Sequence, residues 1–240
     1  MSTAVVTGGA NGIGRGVAGR LAAQGWQVVI VDRDAAAARA TASALGVDHT
    51  PADVTDPDAL GAAFAGAAAR HGPIDALVTS AGITRVGASA DQSPADWRAV
   101  LDVDLSGTFY ACQAAYPHLP DGGAVVTVAS IAAFRGLARR AAYCAAKAGV
   151  VALTRCLAVE WAGRGIRVNA VAPGWVDTPF LRAAADRGDV DLDELAGRPP
   201  LGGLAGVEDV SGVVEFLLSA GARFVTGQTV CADGGWVWAG

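Results

Sequence analysis

The chain has 240 residues, of which 52% are hydrophobic and 17% are charged, and its formal net charge is −5. This length and apolar content provide one sizeable core or at most two small ones, and the composition is not that of a disordered protein. The mild negative charge and the lack of a basic block argue against a nucleic-acid partner. No apolar run reaches the ~18 residues of a membrane span and no secretory leader is apparent, so we expect a cytoplasmic protein with no membrane partner.

The cysteines and histidines show no metal-binding pattern. The four cysteines form no CxxC pair, and the three histidines are scattered along the chain. We therefore expect no metal site, and we interpret the cysteines as small buried hydrophobes in a reducing compartment: Cys112, Cys144, Cys156 and Cys231.

Short apolar runs alternate with alanine-rich helical patterns. The predicted strands are Ala4–Thr7, Gln27–Val31, Val47–Ala52, Ala76–Thr79, Ala124–Ala129, Arg167–Ala172 and Thr229–Ala232. The predicted helices cover about residues 12–24, 35–45, 57–70, 94–118, 141–162 and 207–219. Because the strands are continuously apolar, we expect a sheet buried on both faces. The alternation predicts an α/β fold, a doubly wound parallel sheet of about seven strands with helices on both faces.

A glycine-rich turn follows the first predicted strand at once. Its sequence is Thr7-Gly8-Gly9-Ala10-Asn11-Gly12-Ile13-Gly14. Glycines at positions 8, 12 and 14 allow a tight turn, close approach of the backbone to a pyrophosphate, and close packing of helix on strand. The following helix offers free N–H groups and a positive dipole end to the anion. This turn between strand and helix predicts a dinucleotide-binding site.

The second predicted strand leads into Asp32 and Arg33. A carboxylate about 20 residues beyond the glycines accepts hydrogen bonds from an adenosine ribose and repels a 2′-phosphate, so Asp32 favours NAD. Arg33 leaves NADP open as the alternative, because a guanidinium beside the ribose accommodates that phosphate. A solvated charge or an adenine-stacking surface is the other interpretation of Arg33.

Tyr143 and Lys147 are four residues apart in a predicted helix, so they lie on one face, a turn apart. Lys147 is the only lysine in the chain, and Tyr143 is one of three tyrosines. A phenol is a poor base at neutral pH, and a nearby ammonium lowers its pKa. The pair therefore predicts acid/base chemistry at a phenol.

With these motifs, the sequence resembles the short-chain dehydrogenases/reductases, in their short single-domain branch. The resemblance extends from Thr7 to Asp233-Gly234-Gly235 and implies a Rossmann-type sheet. It also implies that Ser130 hydrogen-bonds the substrate oxygen and that Tyr143 is the general acid/base. Lys147 is implied to lower the pKa of Tyr143 and to hold the nicotinamide ribose.

The resemblance further implies a set of cofactor contacts. Asp53-Val54 matches a pair that contacts the adenine, and Pro173-Gly174 with Val176 and Thr178 matches a segment that closes over the nicotinamide. The other predicted cofactor-binding residues are Gly8, Asn11, Gly12, Ile13, Gly14, Asp32, Arg33, Ser80, Ala81, Gly82, Tyr143 and Lys147.

The sequence departs from the family pattern at two positions. Ser80-Ala81-Gly82 stands where the family has Asn-Ala-Gly, and Asp104 stands where it has a fourth catalytic residue, an Asn that holds a water of the proton relay. An ionised Asp still accepts a hydrogen bond and stabilises the Lys ammonium, but it cannot donate. We therefore count Asp104 with the catalytic residues and expect a tolerated but altered relay. A plain substitution without effect, a weakened relay and a pH optimum moved upward are the outcomes left open.

The substrate end of the site is less defined by the sequence. Phe134, Trp175 and Phe180 follow motif residues, with Leu181, and are the candidate pocket residues for an apolar, cyclic or aromatic substrate. Trp236 and Trp238 either extend this pocket or pack at a subunit interface. Arg85 and Arg135 either anchor a substrate carboxylate or lie on the surface.

We expect one dinucleotide-binding and catalytic domain over residues 1–240. Within it, residues of about 177–206 are poor in periodicity and are predicted to form a mobile substrate loop, with a plain surface excursion as the alternative. The Tyr143 helix is apolar on nearly all faces, which together with the resemblance predicts a homotetramer, or at least a dimer.

The favoured function is an NAD-dependent oxidoreductase that transfers a hydride between nicotinamide and a secondary alcohol or ketone. One alternative is an NADP-dependent carbonyl or 3-oxoacyl thioester reductase, which Asp32 disfavours. A non-catalytic nucleotide-binding scaffold is another, which Ser130, Tyr143 and Lys147 disfavour.

Overall fold

The computed structural model describes residues 1–239 and contains one seven-stranded sheet in which every pairing is parallel. The strand order is β3-β2-β1-β4-β5-β6-β7. The strands are β1 (Thr3–Thr7), β2 (Gln27–Asp32), β3 (Asp48–Pro51), β4 (Ala76–Thr79), β5 (Ala124–Val128), β6 (Arg167–Pro173) and β7 (Thr229–Ala232). Every predicted strand is present, with ends within one residue of the prediction.

Helices cover both faces of this sheet. They are α1 (Gly12–Ala23), α2 (Ala35–Leu45), α3 (Pro57–His71), α4 (Pro94–Leu101), α5 (Gly107–Ala115), α6 (Ala141–Trp161), α7 (Pro179–Asp186), α8 (Leu192–Ala196) and α9 (Val207–Leu218). On one face, α3, α5 and α6 pack in one core cluster with Val5, Leu77 and Val125 of the central strands. On the other face, α1, α2 and α9 pack with the intervening Val6 and Val78. The predicted doubly wound α/β fold is confirmed.

Two stretches differ from the predicted helices. The single helix expected at 94–118 is divided into α4, a π-helical turn at Asp102–Ser106, α5, and a 3-10 turn at Tyr116–His118. The segment predicted as an irregular loop contains α7 and α8, and a parallel bridge between Val176 and Ala205 ties its two ends together. These short helices escaped the periodicity analysis because eight and five residues span too few turns to show a repeat.

Helix α6 and the turn after it, Ala141–Arg164, are long and apolar enough to resemble a membrane span, with a mean hydropathy of 1.4 over the most apolar window. One face of the helix packs on β6, with Val150 and Val151 against Ala170 and Ala172. Because the same helix also buries Lys147, it is a core helix of the domain.

The order of the strands places the site. The chain winds outward from β1 through β2 to β3, then crosses back to β4 beside β1 and continues in the other direction. In open parallel sheets, ligands bind outside the carboxyl ends of the strands at such a switch point. The segments that follow β1, β4, β5 and β6 therefore meet at one edge.

Candidate active site

A cleft of about 330 Å³ lies at this edge. Its lining includes Gly8 after β1, Ser80 after β4, Ser130 after β5 and Gly174 after β6, together with Asp32 at the end of β2. All but two of the predicted site residues line it. Those that do are Gly8, Asn11, Gly12, Ile13, Asp32, Arg33, Asp53, Val54, Ser80, Ala81, Gly82, Asp104, Ser130, Tyr143, Lys147, Pro173, Gly174, Trp175, Val176, Thr178 and Phe180.

The two exceptions are Gly14 and Phe134. Gly14 is buried beneath the glycine turn, where an added Cβ would lie 2.2 Å from the Gly8 carbonyl oxygen. Phe134 is 41% exposed and lies outside the cleft. The 3-10 turn Ile131–Ala133 redirects the chain after Ser130, so that Ile131 lines the cleft instead.

The glycine turn has the geometry of an anion cradle. Helix α1 begins at Gly12, which has a φ of +53°, and its N-cap residue Asn11 makes no side-chain hydrogen bond to the first turn. The first N–H groups of a helix have no partner within it, so those of α1 are left for a ligand. Around the turn, the chain approaches itself so closely that a Cβ on Gly8 would lie 2.5 Å from the Ala81 amide nitrogen. Gly8 therefore leaves no room for a side chain, and the positive φ of Gly12 would strain any residue that has one.

Asp32 is held in a fixed orientation at the far end of the cleft. One carboxylate oxygen accepts a hydrogen bond from the Ala10 amide at 3.1 Å, and the other accepts one from the Asp34 amide, also at 3.1 Å. Arg33 beside it is exposed and makes no ion pair within residues 1–239. Both side chains remain available to a bound ligand.

Ser130 and Tyr143 face each other across the end of β5. Ser130 is buried, and its Oγ accepts a hydrogen bond from the Ala132 amide at 3.1 Å, which leaves its hydroxyl hydrogen to donate elsewhere. Tyr143 lies on the first turn of α6, with Lys147 Nζ 5.6 Å from its ring centroid. The phenol and the serine hydroxyl thus lie beside the same part of the cleft.

Lys147 and Asp104 form a buried ion pair beneath this part of the cleft. Lys147 Nζ donates to the Val128 carbonyl at 3.0 Å and lies 3.3 Å from Asp104 Oδ2. Asp104 Oδ1 accepts from the Ile83 amide at 2.8 Å. The side chain of Asp104 is 0% exposed and that of Lys147 is 5% exposed. Apart from Lys147, Oδ2 has no polar partner within residues 1–239.

The π-helical turn places Asp104. Its wider winding joins α4 to α5 through an i→i−5 hydrogen bond from the Gly107 amide to the Asp102 carbonyl. The Thr108 hydroxyl donates to the Asp104 carbonyl at 2.8 Å. On the other side, Gly82 lies so close that an added Cβ would be 3.1 Å from Asp104 Oδ2.

The charges in this cluster shift one another's pKa. Burial raises the pKa of Asp104, and the Lys147 ammonium and the Ile83 N–H oppose that rise. Burial by itself lowers the pKa of Lys147, but the charges of Asp104 and Tyr143 outweigh it, so the pKa lies above its usual value. Burial also raises the pKa of the Tyr143 phenol. The Lys147 ammonium and the nearby Ser130 hydroxyl lower this pKa, whereas the Asp104 carboxylate adds to the rise.

The other end of the cleft is largely apolar. Besides Trp175 and Phe180, this end is lined by Leu181, which the sequence also indicated. Eight further lining residues were not predicted from the sequence: Ile83, Thr84, Val103, Ile131, Leu137, Arg140, Pro179 and Ala184. Most belong to α7 or to the segment between β5 and α6. They carry no motif, so only the tertiary structure brings them to the cleft.

The two arginines considered as substrate anchors lie outside the cleft. Arg85 is exposed and pairs with Asp96 at 3.4 Å. Arg135 is half-buried and donates to the carbonyls of Trp236 and Ala239, both at 2.8 Å. Arg135 therefore fixes the C-terminal segment, a role that neither sequence interpretation included.

The two C-terminal tryptophans do not line the cleft either. Trp236 is buried and packs behind Trp175, with ring centroids 6.0 Å apart. Trp238 is 79% exposed. The first supports a cleft residue from behind, and the second presents an apolar ring to the surface.

The cysteines are all unpaired, and one of them corrects the sequence interpretation. Cys112 is buried and Cys144 and Cys231 are half-buried, but Cys156 is exposed because it lies on the outer face of α6. Burial raises the pKa of the Cys112 thiol to about 12. Among residues 1–239, no group of three or more His, Cys, Asp or Glu side chains is arranged to hold a metal ion.

Comparison with known proteins gives a consistent result over the whole chain. A family profile described as enoyl-(acyl carrier protein) reductase matches residues 8–237. The chain is 42% identical over 240 residues to cis-4-hydroxycyclohexanecarboxylate dehydrogenase of Sinomonas cyclohexanicum, covering 97% of this chain and 95% of that protein. It is 40% identical over 242 residues to D-threitol dehydrogenase of Mycolicibacterium smegmatis, covering 97% and 92%.

A solved structure agrees with these relatives. The structure of a short-chain type dehydrogenase/reductase from Mycobacterium ulcerans matches with a TM-score of 0.94 and 32% identity, covering 99% of this chain and 90% of that one. The resemblance stated from the motifs is confirmed. The chain belongs to the short-chain dehydrogenases/reductases and is an oxidoreductase that acts on CH–OH groups with NAD(H) or NADP(H).

Proposed function

We propose that this protein oxidises an apolar secondary alcohol to a ketone with NAD as acceptor, and that it catalyses the reverse reaction as well. The observation that carries the proposal is the meeting of Ser130, Tyr143 and Lys147 in the cleft that also contains the glycine turn and Asp32. The residues of both halves of such a reaction, cofactor binding and proton transfer, are thus part of one continuous surface.

The cleft fits a nicotinamide dinucleotide. The uncapped start of α1 would bind the pyrophosphate, and Asp32 would accept hydrogen bonds from the adenosine ribose. When bound, the cofactor supplies or accepts the hydride. The remaining contacts would come from Asp53 and Val54 on the adenine, from Ser80, Ala81 and Gly82 beside the turn, and from Pro173, Gly174, Val176 and Thr178 around the nicotinamide.

The preference for NAD rests on Asp32. Its carboxylate is fixed by two backbone amides, so it cannot easily turn away from a 2′-phosphate. Arg33 is exposed, and its charge is well screened by solvent. The fixed carboxylate of Asp32 therefore outweighs the exposed guanidinium of Arg33.

Proton transfer is assigned to Tyr143. In the oxidation, its phenolate takes the hydroxyl proton of the alcohol while the Ser130 hydroxyl donates a hydrogen bond to the same oxygen. In the reduction, Tyr143 returns the proton. The Lys147 ammonium stabilises the phenolate and, through its remaining N–H, is free to hold the nicotinamide ribose. Asp104 keeps that ammonium in place.

The substrate class follows from the lining of the free end of the cleft. Trp175, Phe180, Leu137 and Ile131 provide an apolar surface that suits a cyclic or aromatic secondary alcohol. The relative from Sinomonas is named for a hydroxycyclohexanecarboxylate, whose ring supports this choice, whereas the relative from Mycolicibacterium is named for threitol, an open-chain polyol. We therefore take substituted cyclohexanols as the first probes.

We further propose that residues 1–240 are one domain, that the segment at about 177–206 closes over the substrate, and that the protein is a cytoplasmic homotetramer. Pro179, Phe180 and Leu181 of this segment already line the cleft. The apolar outer face of α6 supports assembly, because a monomer would leave it in water.

The proposal is tested by titrating the protein with NADH and, separately, with NADPH, followed by an assay of NAD reduction with cyclohexanols. We expect clearly tighter binding of NADH. We expect Tyr143→Phe to keep this affinity within a few-fold and to lower turnover by about 10³-fold, since only the proton transfer is lost. Tighter NADPH binding would favour the carbonyl or thioester reductase, and failure of both to bind would favour the scaffold.

A further inference from the structure

Arg140 is a half-buried arginine in the cleft that the mechanism above does not use. It is the N-cap residue of α6, three residues before Tyr143, and it lines the cleft with Trp175. Its guanidinium lies over the Trp175 ring, 5.5 Å from the centroid. Burial lowers the pKa of this guanidinium, with the charges of Asp189 and Tyr143 acting in the opposite direction.

Arg140 differs from the other shielded arginines in having no polar partner. Four arginines are half-buried in residues 1–239. Arg135 and Arg167 donate to two or more backbone carbonyls each, and Arg164 donates to two carbonyls and to Asp121. Within residues 1–239, the Arg140 guanidinium makes no hydrogen bond and has no carboxylate within 4.0 Å.

The residues around Arg140 hold its side chain in the cleft but accept no hydrogen bond from its guanidinium. Stacking on Trp175 uses the face of the guanidinium and leaves its N–H groups free. Trp175 is itself backed by the buried Trp236, so the stack has a fixed base. Asp189, the carboxylate whose charge acts most on Arg140, pairs with Arg187 at 3.0 Å and makes no ion pair with Arg140. Removing a guanidinium from water costs free energy when no group accepts its hydrogen bonds. A bound ligand that accepts these hydrogen bonds offsets this cost.

We infer that Arg140 binds an anionic group of the substrate, so that the alcohols this enzyme takes are hydroxy acids whose carboxylate lies away from the carbinol carbon. The inference rests on the proposed function and specifies its substrate. A carboxylate matches the guanidinium edge with two parallel hydrogen bonds. The other end of the substrate, which is apolar and carries the hydroxyl, would then lie between Trp175 and the Ser130–Tyr143 pair.

The test compares cis-4-hydroxycyclohexanecarboxylate with its primary carboxamide, which has the same shape and no charge. The readout is the ratio of kcat/KM for the two compounds. We expect the protein to prefer the carboxylate and Arg140→Met to lower the ratio about 10- to 100-fold, mainly through KM. Arg140→Lys should restore part of the ratio. Arg139→Met, which removes an equal charge from an adjacent exposed position, should leave it unchanged.

A second measurement separates this inference from the proposed function. Cyclohexanecarboxylate has no hydroxyl to oxidise, and its binding to the protein–NADH complex is measured by calorimetry. Binding that Arg140→Met abolishes supports the anion site even if no alcohol is oxidised. If both probes are turned over and Arg140→Met does not change the ratio of their kcat/KM values, the anion site is wrong and the proposed function stands. A loss of NADH affinity in Arg140→Met would assign the guanidinium to the cofactor and also overturn it; Arg140→Gln serves if the Met variant does not fold.

Discussion

At position 104, a carboxylate stands where the family resemblance implies an amide. Asp104 Oδ1 accepts from the Ile83 amide, as an amide oxygen would, so the change of residue keeps this hydrogen bond. The difference lies at Oδ2, which faces the Lys147 ammonium and adds a negative charge beside the phenol of Tyr143. Asparagine at this position would present a neutral donor instead.

Asp104→Asn is expected to move the pH dependence of alcohol oxidation. Tyr143 must be ionised to take the proton. Burial raises the pKa of its phenol, Lys147 lowers this pKa, and Asp104 raises it. Removing the Asp104 charge lowers the pKa of Tyr143, so the rise of kcat/KM with pH should occur at lower pH. Asp102→Asn, an exposed change of equal charge in the same π-helical turn, should leave the profile in place. If rate and profile are identical in Asp104→Asn and the parent, position 104 has no functional role.

Among the secondary-structure elements, the π-helical turn at Asp102–Ser106 shows how local sequence is overridden. The run from 94 to 118 has a helical pattern throughout, and Gly107 is the least helix-favouring residue between Pro94 and Pro117. The extra residue in one turn brings Asp104 beneath the cleft, where Lys147 and the Ile83 amide bind it. Such turns concentrate at functional sites because they re-aim a side chain at some cost in regular hydrogen bonding.

The junction of β1 and α1 gives a prediction about stability. Gly14→Ala would place a Cβ 2.2 Å from the Gly8 carbonyl oxygen, a backbone atom that cannot rotate away. We expect a loss of about 1–3 kcal/mol in the free energy of unfolding and a loss of NADH binding, because the turn must open.

The matched control is Gly61→Ala in α3. An added Cβ there meets nothing within 4 Å, so the better helix propensity of alanine should stabilise the protein by about 0.5–1 kcal/mol. Urea unfolding measures both variants. Equal effects of the two substitutions would show that the close packing of the glycine turn does not limit stability.

For the whole molecule, the outer face of α6 is the feature that points beyond the single chain. Seven positions of α6 are exposed: five carry apolar residues, Ala145, Ala148, Ala152, Cys156 and Val159, and two carry charges, Arg155 and Glu160. Val159 is 79% exposed, and Phe109 on the neighbouring α5 is 38% exposed. A largely apolar surface of this kind favours contact with another protein surface, and a symmetric copy is the simplest partner.

Ala152→Glu is therefore expected to break the assembly. A buried carboxylate on each side of a two-fold contact is repelled by its copy, so the mass should fall from about four chains to one or two. Light scattering after size-exclusion chromatography measures this. Ala62→Glu, at an exposed position of α3, adds the same charge and should leave the mass unchanged. A parent protein that is already a monomer would contradict the expected tetramer directly.

The sequence by itself determined the parallel sheet, the glycine turn and the Tyr143–Lys147 pair, because each depends on periodicity or on residues close together in the chain. It did not reveal that Asp104 is buried against Lys147, that Phe134 turns away from the cleft, or that Arg140 lies in the cleft without a partner. These facts depend on contacts between distant segments and on one extra residue in a helical turn. Burial and partnership are properties of the packed chain, and only the tertiary structure decides them.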